Sequence, residues 1–375
     1  MKILFPIMAF YPHHGGGPSL SVYWMAKALV RKGQDVTVVT TTLGLENKYP
    51  ANTWNDIDGV KVQYCSSSWR LLKLTFLQIK KSDILHLTSL CYWPSVVVAA
   101  YSKLFTKKTI IWSPRGELAD AAINGSWLKK KLFKLYGLLF RKRITFHGTS
   151  GKEIEEITRC VGSCRTIKLP NYLELSPKYN RPQGRYLMYL GRISPIKSLD
   201  KLVDALSLSK SFLESNYKFL LAGKSVIAEA VAYEKQLRNQ VISLGLQDRI
   251  QFLGEVGGAA KDELLSGAYF SFLVSKTENF GNVVVEAMAQ GTPVVTSLGT
   301  PWGVLEENDV GYHVSNEPSV LAKTIDEILN LTDEEYQELR CRVFAFCVHE
   351  FSIDDNIQKW IDVYDNMLSN SKTLQ

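Results

Sequence analysis

Residues 269–289 read YFSFLVSKTENFGNVVVEAMA, and this stretch predicts a buried strand, a polar turn and the start of a helix. The apolar residues of the strand, Tyr269–Val274, run continuously instead of alternating with polar ones, as in parallel strands that are covered on both faces. The turn contains Gly281, and the helix follows at once. Strand, turn and helix recur in this order along the chain, which predicts an α/β protein built from doubly wound parallel sheets.

Twelve strands are predicted, six in each half of the chain. In the first half they cover Lys2–Ile7, Asp35–Thr41, Val60–Cys65, Asp83–Leu87, Thr109–Ser113 and Ile144–His147. In the second half they cover Arg185–Leu190, Tyr217–Ala222, Arg249–Leu253, Tyr269–Val274, Pro293–Thr296 and Gly311–Val314. Two sets of six strands predict two sheets, each in a domain of its own.

The boundary between the two domains is predicted near residue 172, where both composition and charge change. Residues 176–182 read SPKYNRP, which is typical of a linker. Residues 1–172 hold 25 Lys and Arg against 10 Asp and Glu, a net charge of +15. Residues 173–375 hold 19 against 27, a net charge of −8. The basic half is expected to face an anionic partner.

The composition excludes several classes of protein. With 46% hydrophobic and 22% charged residues, a chain of 375 residues is expected to fold into two domains and not to be disordered. No apolar run approaches the roughly 20 residues that span a bilayer. The first residues, MKILFPIM, predict a buried strand and lack the features of a signal peptide, so we expect a cytoplasmic location. The six cysteines match no zinc-site spacing.

Two carboxylates flank the predicted turn at Gly281. Glu278 lies in the turn, and Glu286 lies two helical turns into the helix. A helix N-terminus attracts anions, whereas carboxylates accept hydrogen bonds from hydroxyl groups. The arrangement therefore predicts a ligand that carries both phosphate and sugar hydroxyls. On spacing alone, a solvent-exposed glutamate and a helix-capping glutamate explain the pair equally well.

A pair of cations follows the strand Arg185–Leu190. Residues 191–197 read GRISPIK, so Arg192 and Lys197 straddle one turn, from which both can reach the same diphosphate. Charged hydrogen bonds of roughly 1.5–3 kcal/mol each would stabilise a departing diphosphate without a metal ion. Two solvated surface cations are the alternative.

A glycine-rich loop follows the first strand, in residues 12–19, PHHGGGPS. Its glycines permit a backbone to approach a ligand closely. The loop is not a G-x-G-x-x-G motif, and no acidic residue ends the second strand. A dinucleotide-binding site is therefore not supported.

Taken together, the three motifs resemble those of a known family. Gly16-Gly17, the turn at residues 191–197 and the pair Glu278/Glu286 occur in the order seen in family-4 glycosyltransferases of the GT-B fold, and the chain resembles this family over nearly its whole length. The segments SPRGEL, FHGTS and GTPW, at residues 113–118, 146–150 and 299–302, look like a branch that builds bacterial surface polysaccharides.

The resemblance implies two Rossmann-like domains that face each other across a cleft. Residues 1–172 would form the basic, membrane-facing acceptor domain, and residues 173–350 would form the domain that binds a nucleotide-sugar donor. Residues 351–375 would form a C-terminal helix that crosses back to the first domain. The activity implied is retaining, metal-independent transfer of a hexosyl group.

The resemblance also assigns roles to individual residues. Arg192 and Lys197 would hold the donor diphosphate, Glu278 would meet the donor sugar, and Glu286 would hold the ribose hydroxyls; the first three are the candidate catalytic residues. Further donor contacts would be Gly16, Gly17, Val256, Lys261, Asn279, Phe280, Gly281, Asn282 and Val283. The chain departs from the family at Ser198, where a glycine usually follows the lysine, and at Tyr172, which replaces the glycine of a Pro-Asn-Gly linker.

Two further groups of residues are candidate sites. Asp56-Ile57-Asp58 is a D-x-D sequence of the kind that binds metals in another glycosyltransferase fold, but it precedes Gly59, and we interpret it as a turn. No metal and no cofactor are therefore expected. His86 ends one predicted strand and Arg115 and Glu117 follow the next, so these three are candidate acceptor contacts, with a structural role as the alternative.

Residues 127–143, WLKKKLFKLYGLLFRKR, hold seven basic groups, no acidic group and many large apolar side chains. Residues 69–81 repeat this composition. Helices of this kind lie on anionic membranes, so we predict a peripheral position on the inner face of the cytoplasmic membrane. The alternative is a helix that packs its apolar face on the sheet and leaves its basic side in water.

The sequence thus predicts a transferase that moves a sugar from a nucleotide diphosphate to a glycan or lipid-linked acceptor in surface polysaccharide or lipopolysaccharide synthesis. An anionic membrane surface is the other expected partner, and nucleic acid is not expected. A sugar phosphorylase or epimerase on the same fold, or a catalytically silent nucleotide-sugar-binding subunit, is the alternative.

Overall fold

The fold is described from a computed structural model, which defines residues 1–12, 17–45, 48–106, 108–123, 126–179 and 184–373. The chain divides into two compact units. Residues 1–174 together with residues 351–375 form the first unit, and residues 175–350 form the second. Each unit contains one sheet.

The first unit holds an eight-stranded sheet with the order β3-β4-β2-β1-β5-β6-β7-β8. Its strands are β1 (Lys2–Pro6), β2 (Asp35–Thr41), β3 (Trp54–Ile57), β4 (Val60–Cys65), β5 (Ile84–Thr88), β6 (Thr109–Ser113), β7 (Ile144–Gly148) and β8 (Arg165–Lys168). All neighbours pair in parallel except β3 and β4, which form an antiparallel hairpin. Without β3 and β8, the order is that of a doubly wound Rossmann sheet.

The prediction of six strands for this sheet was wrong, because it missed β3 and β8. Neither of these two strands has an apolar run in its sequence. Both are edge strands with largely exposed side chains. The interpretation of residues 56–58 as a turn also needs correction. Asp56 and Ile57 belong to β3, and the turn itself is formed by Asp58 and Gly59, both at positive φ.

Helices cover both faces of the first sheet. They are α1 (Gly17–Arg31), α2 (Ser68–Ile79), α3 (Trp93–Phe105), α4 (Asp120–Ile123), α5 (Trp127–Phe140), α6 (Gly151–Val161) and, from the end of the chain, α15 (Ile353–Thr373). One apolar core lies under α1 and α15, and the other lies under α2, α3, α5 and α6. Gly137 permits close packing of α5 on α6, because a Cβ there would lie 1.9 Å from the carbonyl oxygen of Val161.

The segment that joins the units is anchored in the first one. Tyr172 is 3% exposed and packs into the core with Ile353 and Ile357. Leu173 forms an isolated bridge with Ser352, so the start of α15 is held against this segment. The tyrosine that replaces the family's glycine is therefore a core residue.

The second unit holds a six-stranded, all-parallel sheet with the order β11-β10-β9-β12-β13-β14. Its strands are β9 (Tyr186–Leu190), β10 (Lys218–Ala222), β11 (Ile250–Gly254), β12 (Phe270–Leu273), β13 (Val294–Ser297) and β14 (Gly311–Val314). Its helices are α7 (Leu199–Leu208), α8 (Lys210–Glu214), α9 (Ala228–Ser243), α10 (Gly258–Gly267), α11 (Asn282–Ala289), α12 (Val304–Glu307), α13 (Pro318–Leu329) and α14 (Asp333–Phe351). This order is again that of a Rossmann sheet, as predicted.

In both sheets the strand order reverses beside the first strand of the unit. The chain leaves β9 toward β10 on one side and β12 toward β13 on the other. Loops that diverge at such a switch point leave a crevice at the carboxyl ends of the strands, where ligands bind. Among the helices in the described ranges, none is both long enough and apolar enough to cross a membrane.

Candidate functional site

The switch point of the second sheet brings two of the predicted motifs together. The loop after β9 contains Arg192 and a 3₁₀ turn over Pro195–Lys197, and the loop after β12 contains Glu278. Because β9 and β12 are neighbours, these loops touch, and the backbone amide of Lys276 donates to the carbonyl oxygen of Ile196 at 2.8 Å.

At this contact the ammonium of Lys197 forms an ion pair with the carboxylate of Glu278. Their side chains are 13% and 19% exposed, so the pair lies in a partly shielded position where a ligand can still reach it. Arg192 presents an exposed side chain two residues after β9, and its carbonyl oxygen accepts from the hydroxyl of Tyr189 at 2.7 Å. The cations are thus held on one turn by backbone contacts.

The residue after this turn is Ser198, one of the two positions at which the chain departs from the family. Ser198 has a φ of 52°, in the left-handed region that favours glycine, and it is fully buried. The serine therefore adopts the backbone conformation for which the family uses glycine. Its hydroxyl accepts from the side-chain amide of Asn316 at 3.4 Å.

The loop after β12 leads into the N-terminus of α11. Gly281 precedes the helix with a φ of 80°, and a Cβ there would lie 2.6 Å from the Cδ2 atom of Leu273. Phe280 is 6% exposed and packs on Trp302, whose indole N–H donates to the Phe280 carbonyl. The amides of Asn282 and Val283 lie in the first turn of α11, where helix amides have no partner within the helix and attract anions.

A third loop packs against the turn after β12. It follows β13, and its Gly299 lies so close to the turn after β12 that a Cβ would come within 2.4 Å of the carbonyl oxygens of Ser275 and Lys276. The Gly299 carbonyl accepts from the backbone amide of Glu278 at 3.2 Å. Glu278 is thereby fixed on both sides, since its own carboxylate also accepts from the backbone amide of Asn279 at 3.2 Å.

The second glutamate has a partner of its own. Glu286 lies one turn into α11 and not two turns as predicted, and its carboxylate contacts the ammonium of Lys261, on α10, at 3.0 Å. Both side chains are about one-fifth to one-quarter exposed. Val256 lies in the loop between β11 and α10. The candidate donor residues of the second unit therefore lie on loops and helix starts at one edge of its sheet.

Of the predicted glycine pair in the first unit, Gly17 is the first residue of α1. Gly16 lies outside the described residues. The D-x-D carboxylates are engaged by neighbouring groups of the fold: Asp56 accepts from the amide of Gly59 at 2.9 Å, and Asp58 accepts from the hydroxyl of Tyr23.

Of the three candidate acceptor residues, His86 lies within β5 and not at its end, whereas Arg115 and Glu117 follow β6. His86 has no exposed surface, and its ring bonds to Tyr364 and to Ser113, both at 2.8 Å. The carboxylate of Glu117 accepts from the hydroxyl of Ser89 and from the amides of Leu90 and Cys91, and it thereby holds the turn before α3. In this structure Glu117 makes structural contacts, as the alternative interpretation predicted, and its role toward an acceptor stays a prediction.

His86 belongs to a buried chain of hydrogen bonds that the sequence did not reveal. The hydroxyl of Ser113 bonds to Nδ1 of His147 at 2.8 Å, and Nε2 of His147 bonds to the carbonyl oxygen of Leu169 at 2.9 Å. Burial lowers the pKa of both imidazoles, that of His147 to about 3, so both rings are neutral.

Arg115 is the third candidate, and its backbone is unusual. Its φ of 57° is rare for a residue with a side chain. The guanidinium donates to Oδ1 of Asn171 at 2.6 Å, while the Nε group is buried without a hydrogen-bond partner. Asn171 was not among the predicted site residues. Its place beside a proline in the linker was the available signal, but nothing in the sequence connects it to Arg115.

Comparison with known proteins agrees with this architecture. Residues 173–342 match the family described as Glycosyl transferases group 1. The mannosylfructose-phosphate synthase of Agrobacterium fabrum is 32% identical over 117 residues, which are 31% of this chain but only 26% of that enzyme. The GDP-mannose:cellobiosyl-diphosphopolyprenol alpha-mannosyltransferase of Xanthomonas oryzae pv. oryzae is 22% identical over 98% of this chain and 97% of its own.

The fold has close counterparts among solved structures. The Anabaena protein Alr3699/HepE in complex with UDP superposes with a TM-score of 0.78 at 20% identity, over 98% of this chain and all of that one. Two Rossmann sheets, the loops at their switch points and the group 1 match lead to one assignment. The chain has the GT-B fold, and its residues 173–342 are similar to the group 1 glycosyltransferases.

Proposed function

We propose that the protein is a retaining glycosyltransferase that uses a nucleotide-diphosphate sugar as its donor and needs no metal ion. The observation that carries this proposal is the contact of Lys197 with Glu278 across two loops at a switch point. It brings together a cation that would bind a diphosphate and a carboxylate that would bind a sugar. The neighbouring pair of Lys261 and Glu286 adds a second carboxylate for hydroxyls of the nucleoside.

The leaving group would be stabilised by fixed positive charge. When the sugar–phosphate bond breaks, negative charge develops on the diphosphate. Arg192, Lys197 and the first amides of α11 lie where they would receive it. Groups that are already oriented toward developing charge stabilise a transition state most effectively. The guanidinium of Arg192 would bind two phosphate oxygens, and Lys197 would exchange part of its contact with Glu278 for a contact with the diphosphate.

Glu278 would act on the sugar itself. Its carboxylate accepts from the backbone amide of Asn279, and its own backbone amide donates to the carbonyl of Gly299, so the carboxylate can accept sugar hydroxyls in a constant orientation. The same negative charge would stabilise the positive charge that develops on the sugar ring as the bond breaks.

The relatives suggest the kinds of substrate. The Anabaena protein binds UDP, and the Xanthomonas enzyme transfers mannose from GDP-mannose to a cellobiosyl-diphosphopolyprenol. We propose by similarity that the acceptor here is a glycan or a lipid-linked saccharide in the synthesis of a surface polysaccharide. Gly16, Gly17 and Val256 are proposed as further donor contacts.

The first unit is proposed to lie on the inner face of the cytoplasmic membrane. One face of α5 is buried through Phe133, Tyr136 and Phe140, yet the helix also exposes large apolar side chains between its lysines. The exposed ones are Trp127, Leu128, Leu132, Leu135, Leu138 and Leu139. A basic helix face that only contacts water would not also expose six large apolar side chains. Apolar and basic groups on one surface favour an anionic lipid bilayer.

A panel of nucleotide sugars tests the proposal. The purified protein is incubated with UDP- and GDP-linked hexoses, with and without a membrane extract as the source of acceptor. Release of free nucleoside diphosphate is then measured together with the anomeric configuration of the product. We expect release from one donor, dependent on acceptor, with the configuration of the sugar retained. Binding of a nucleotide sugar without release by the wild-type protein would support a silent binding subunit instead.

A further inference from the structure

The guanidinium of Arg115 is a partly buried cation whose Nε group is fully buried, and the fold supplies it with only a neutral hydrogen-bond partner. It bonds to the amide oxygen of Asn171, and its Nε group has no hydrogen-bond acceptor. Within the described part of the chain, no carboxylate lies within ion-pair distance of it. A buried donor group without an acceptor is unfavourable, so the retention of this Nε group needs an explanation.

The charge of Glu153 favours the charged form of Arg115, but its carboxylate makes its hydrogen bonds elsewhere. Glu153 is buried, and its two carboxylate oxygens already accept from the backbone amides of Gly116 and Thr149 and from the hydroxyl of Thr149, at 2.7–2.8 Å. This carboxylate therefore holds the turn that carries Arg115 instead of pairing with its side chain. Burial accordingly lowers the pKa of the guanidinium, which remains charged at neutral pH.

The backbone and the surroundings of Arg115 also point to a ligand. Left-handed backbone at a residue with a side chain is concentrated at functional sites. The side chain borders a cavity of about 10 Å³ that is also lined by Ser21, Met25, His147 and Asn171. A cavity of this size admits one water-sized atom but not a sugar ring.

We propose that Arg115 and Asn171 form a subsite for a single anionic oxygen of a substrate phosphate or carboxylate. The oxygen would enter the cavity and accept from the Nε group of Arg115, which would then have both a partner and a counter-ion. The amide oxygen of Asn171 would hold the guanidinium in place while Nε binds the oxygen. The identity of the substrate rests on the proposed function, but the oxyanion subsite itself does not.

Binding experiments test this subsite without turnover. Calorimetric titration with UDP, with GDP and with geranyl diphosphate, a soluble lipid diphosphate, separates a donor anion from an acceptor anion. We expect Arg115→Gln to raise the dissociation constant of one of these probes at least tenfold. The matched control is Arg159→Gln, an exposed arginine of the same unit that pairs with Asp120, and it should bind all probes normally.

A second variant separates binding from folding. Asn171→Asp places a carboxylate 2.6 Å from the guanidinium and supplies the missing counter-ion from within the protein. It should raise the melting temperature, or leave it unchanged, while it weakens binding of the same probe at least tenfold, because the cation is now neutralised. A purely structural role for Arg115 would not produce this combination.

The outcomes are distinct. Loss of affinity for a nucleoside diphosphate assigns the subsite to the donor, and loss of affinity for geranyl diphosphate assigns it to the acceptor. Unchanged affinity for every probe in both Arg115→Gln and Asn171→Asp overturns the proposal and leaves the cavity as a site that merely holds water. Failure of the glycosyltransferase assay with intact, Arg115-dependent binding would contradict the proposed function alone.

Discussion

The hydroxyl of Tyr364 donates to Nδ1 of His86 at 2.8 Å, which joins the last helix of the chain to the centre of the first sheet. This bond belongs to a series of buried hydrogen bonds, and the acceptor at the other end of the series fixes the direction of each of them. The carbonyl of Leu169 can only accept, so Nε2 of His147 carries a hydrogen and Nδ1 does not. Ser113 therefore donates to His147 and accepts from Nε2 of His86, whose Nδ1 must accept from Tyr364.

This network predicts that the first unit loses stability in mild acid. The pKa of His86 and of His147 is lowered in the folded state, to about 3 for His147, whereas an unfolded histidine titrates near pH 6.5. Below pH ~6.5 the unfolded state therefore binds more protons than the folded state, and the free energy of unfolding falls as pH falls. The contribution is fully present above pH ~6.5 and declines by up to about 1.4 kcal/mol per pH unit for each histidine.

Melting temperatures between pH 8 and pH 5 measure this effect. The variant His147→Gln should be less stable at pH 8 but should show a weaker dependence on pH below 6.5. His349 is 81% exposed, and His349→Gln serves as the control that should keep the wild-type dependence. A pH dependence unchanged in His147→Gln would show that the buried ring does not control acid stability.

The diphosphate cations yield the second prediction. Lys197→Ala and Arg192→Ala should each lower kcat/KM for the donor at least tenfold, about 1.4 kcal/mol of transition-state stabilisation, because each removes positive charge from the leaving group. Lys201→Ala is the control, since Lys201 lies one helical turn away and pairs with Glu317 instead. Wild-type kinetics in both single variants would remove the diphosphate role from this turn.

Much of the fold was predictable because its central strands are continuous apolar runs. The predicted bounds of β2, β4, β6 and β14 match the observed ones, and each end of the other predicted strands was placed within one residue. The strands that were missed, β3 and β8, are edge strands whose existence depends on pairing with one neighbour and not on burial of their own side chains. A single-sequence pattern contains no information on such pairing.

The candidate site was predictable only as separate motifs. Ligand groups were expected after strands, and that rule led to Arg192, Lys197 and Glu278. Lys197 and Glu278 are 81 positions apart, and their contact depends on β9 lying beside β12. The partners of His86 and Arg115 depend likewise on long-range packing, so neither the buried hydrogen-bond chain nor the Asn171 contact was foreseen.

A third prediction concerns metal ions. If Arg192, Lys197 and the N-terminus of α11 supply the positive charge, donor turnover should be the same in the presence and absence of a chelator. The assay compares initial rates in EDTA with rates in added magnesium or manganese. Activity that disappears in EDTA and returns with manganese would contradict the proposed metal-free mechanism and would direct attention to Asp56 and Asp58.

The last prediction concerns the surface of α5. Vesicles that contain anionic lipid should recruit the protein and neutral vesicles should not, and recruitment should weaken as salt rises, since exposed charges are screened over roughly 10 Å at 0.1 M. Replacement of the four exposed lysines of α5 by glutamine should release the protein from the vesicles. These residues are Lys129, Lys130, Lys131 and Lys134.

The control for this experiment removes the same charge from elsewhere. Four exposed lysines of the second unit, replaced by glutamine, should leave vesicle binding nearly unchanged; they are Lys210, Lys218, Lys235 and Lys323. Both variants should turn over a soluble acceptor analogue at nearly the wild-type rate, because no substituted residue lies in a donor motif. Co-sedimentation decides the question. If the α5 variant sediments with anionic vesicles as the wild type does, the lysines of α5 do not attract the protein to the membrane. They are then only the water-facing side of the helix.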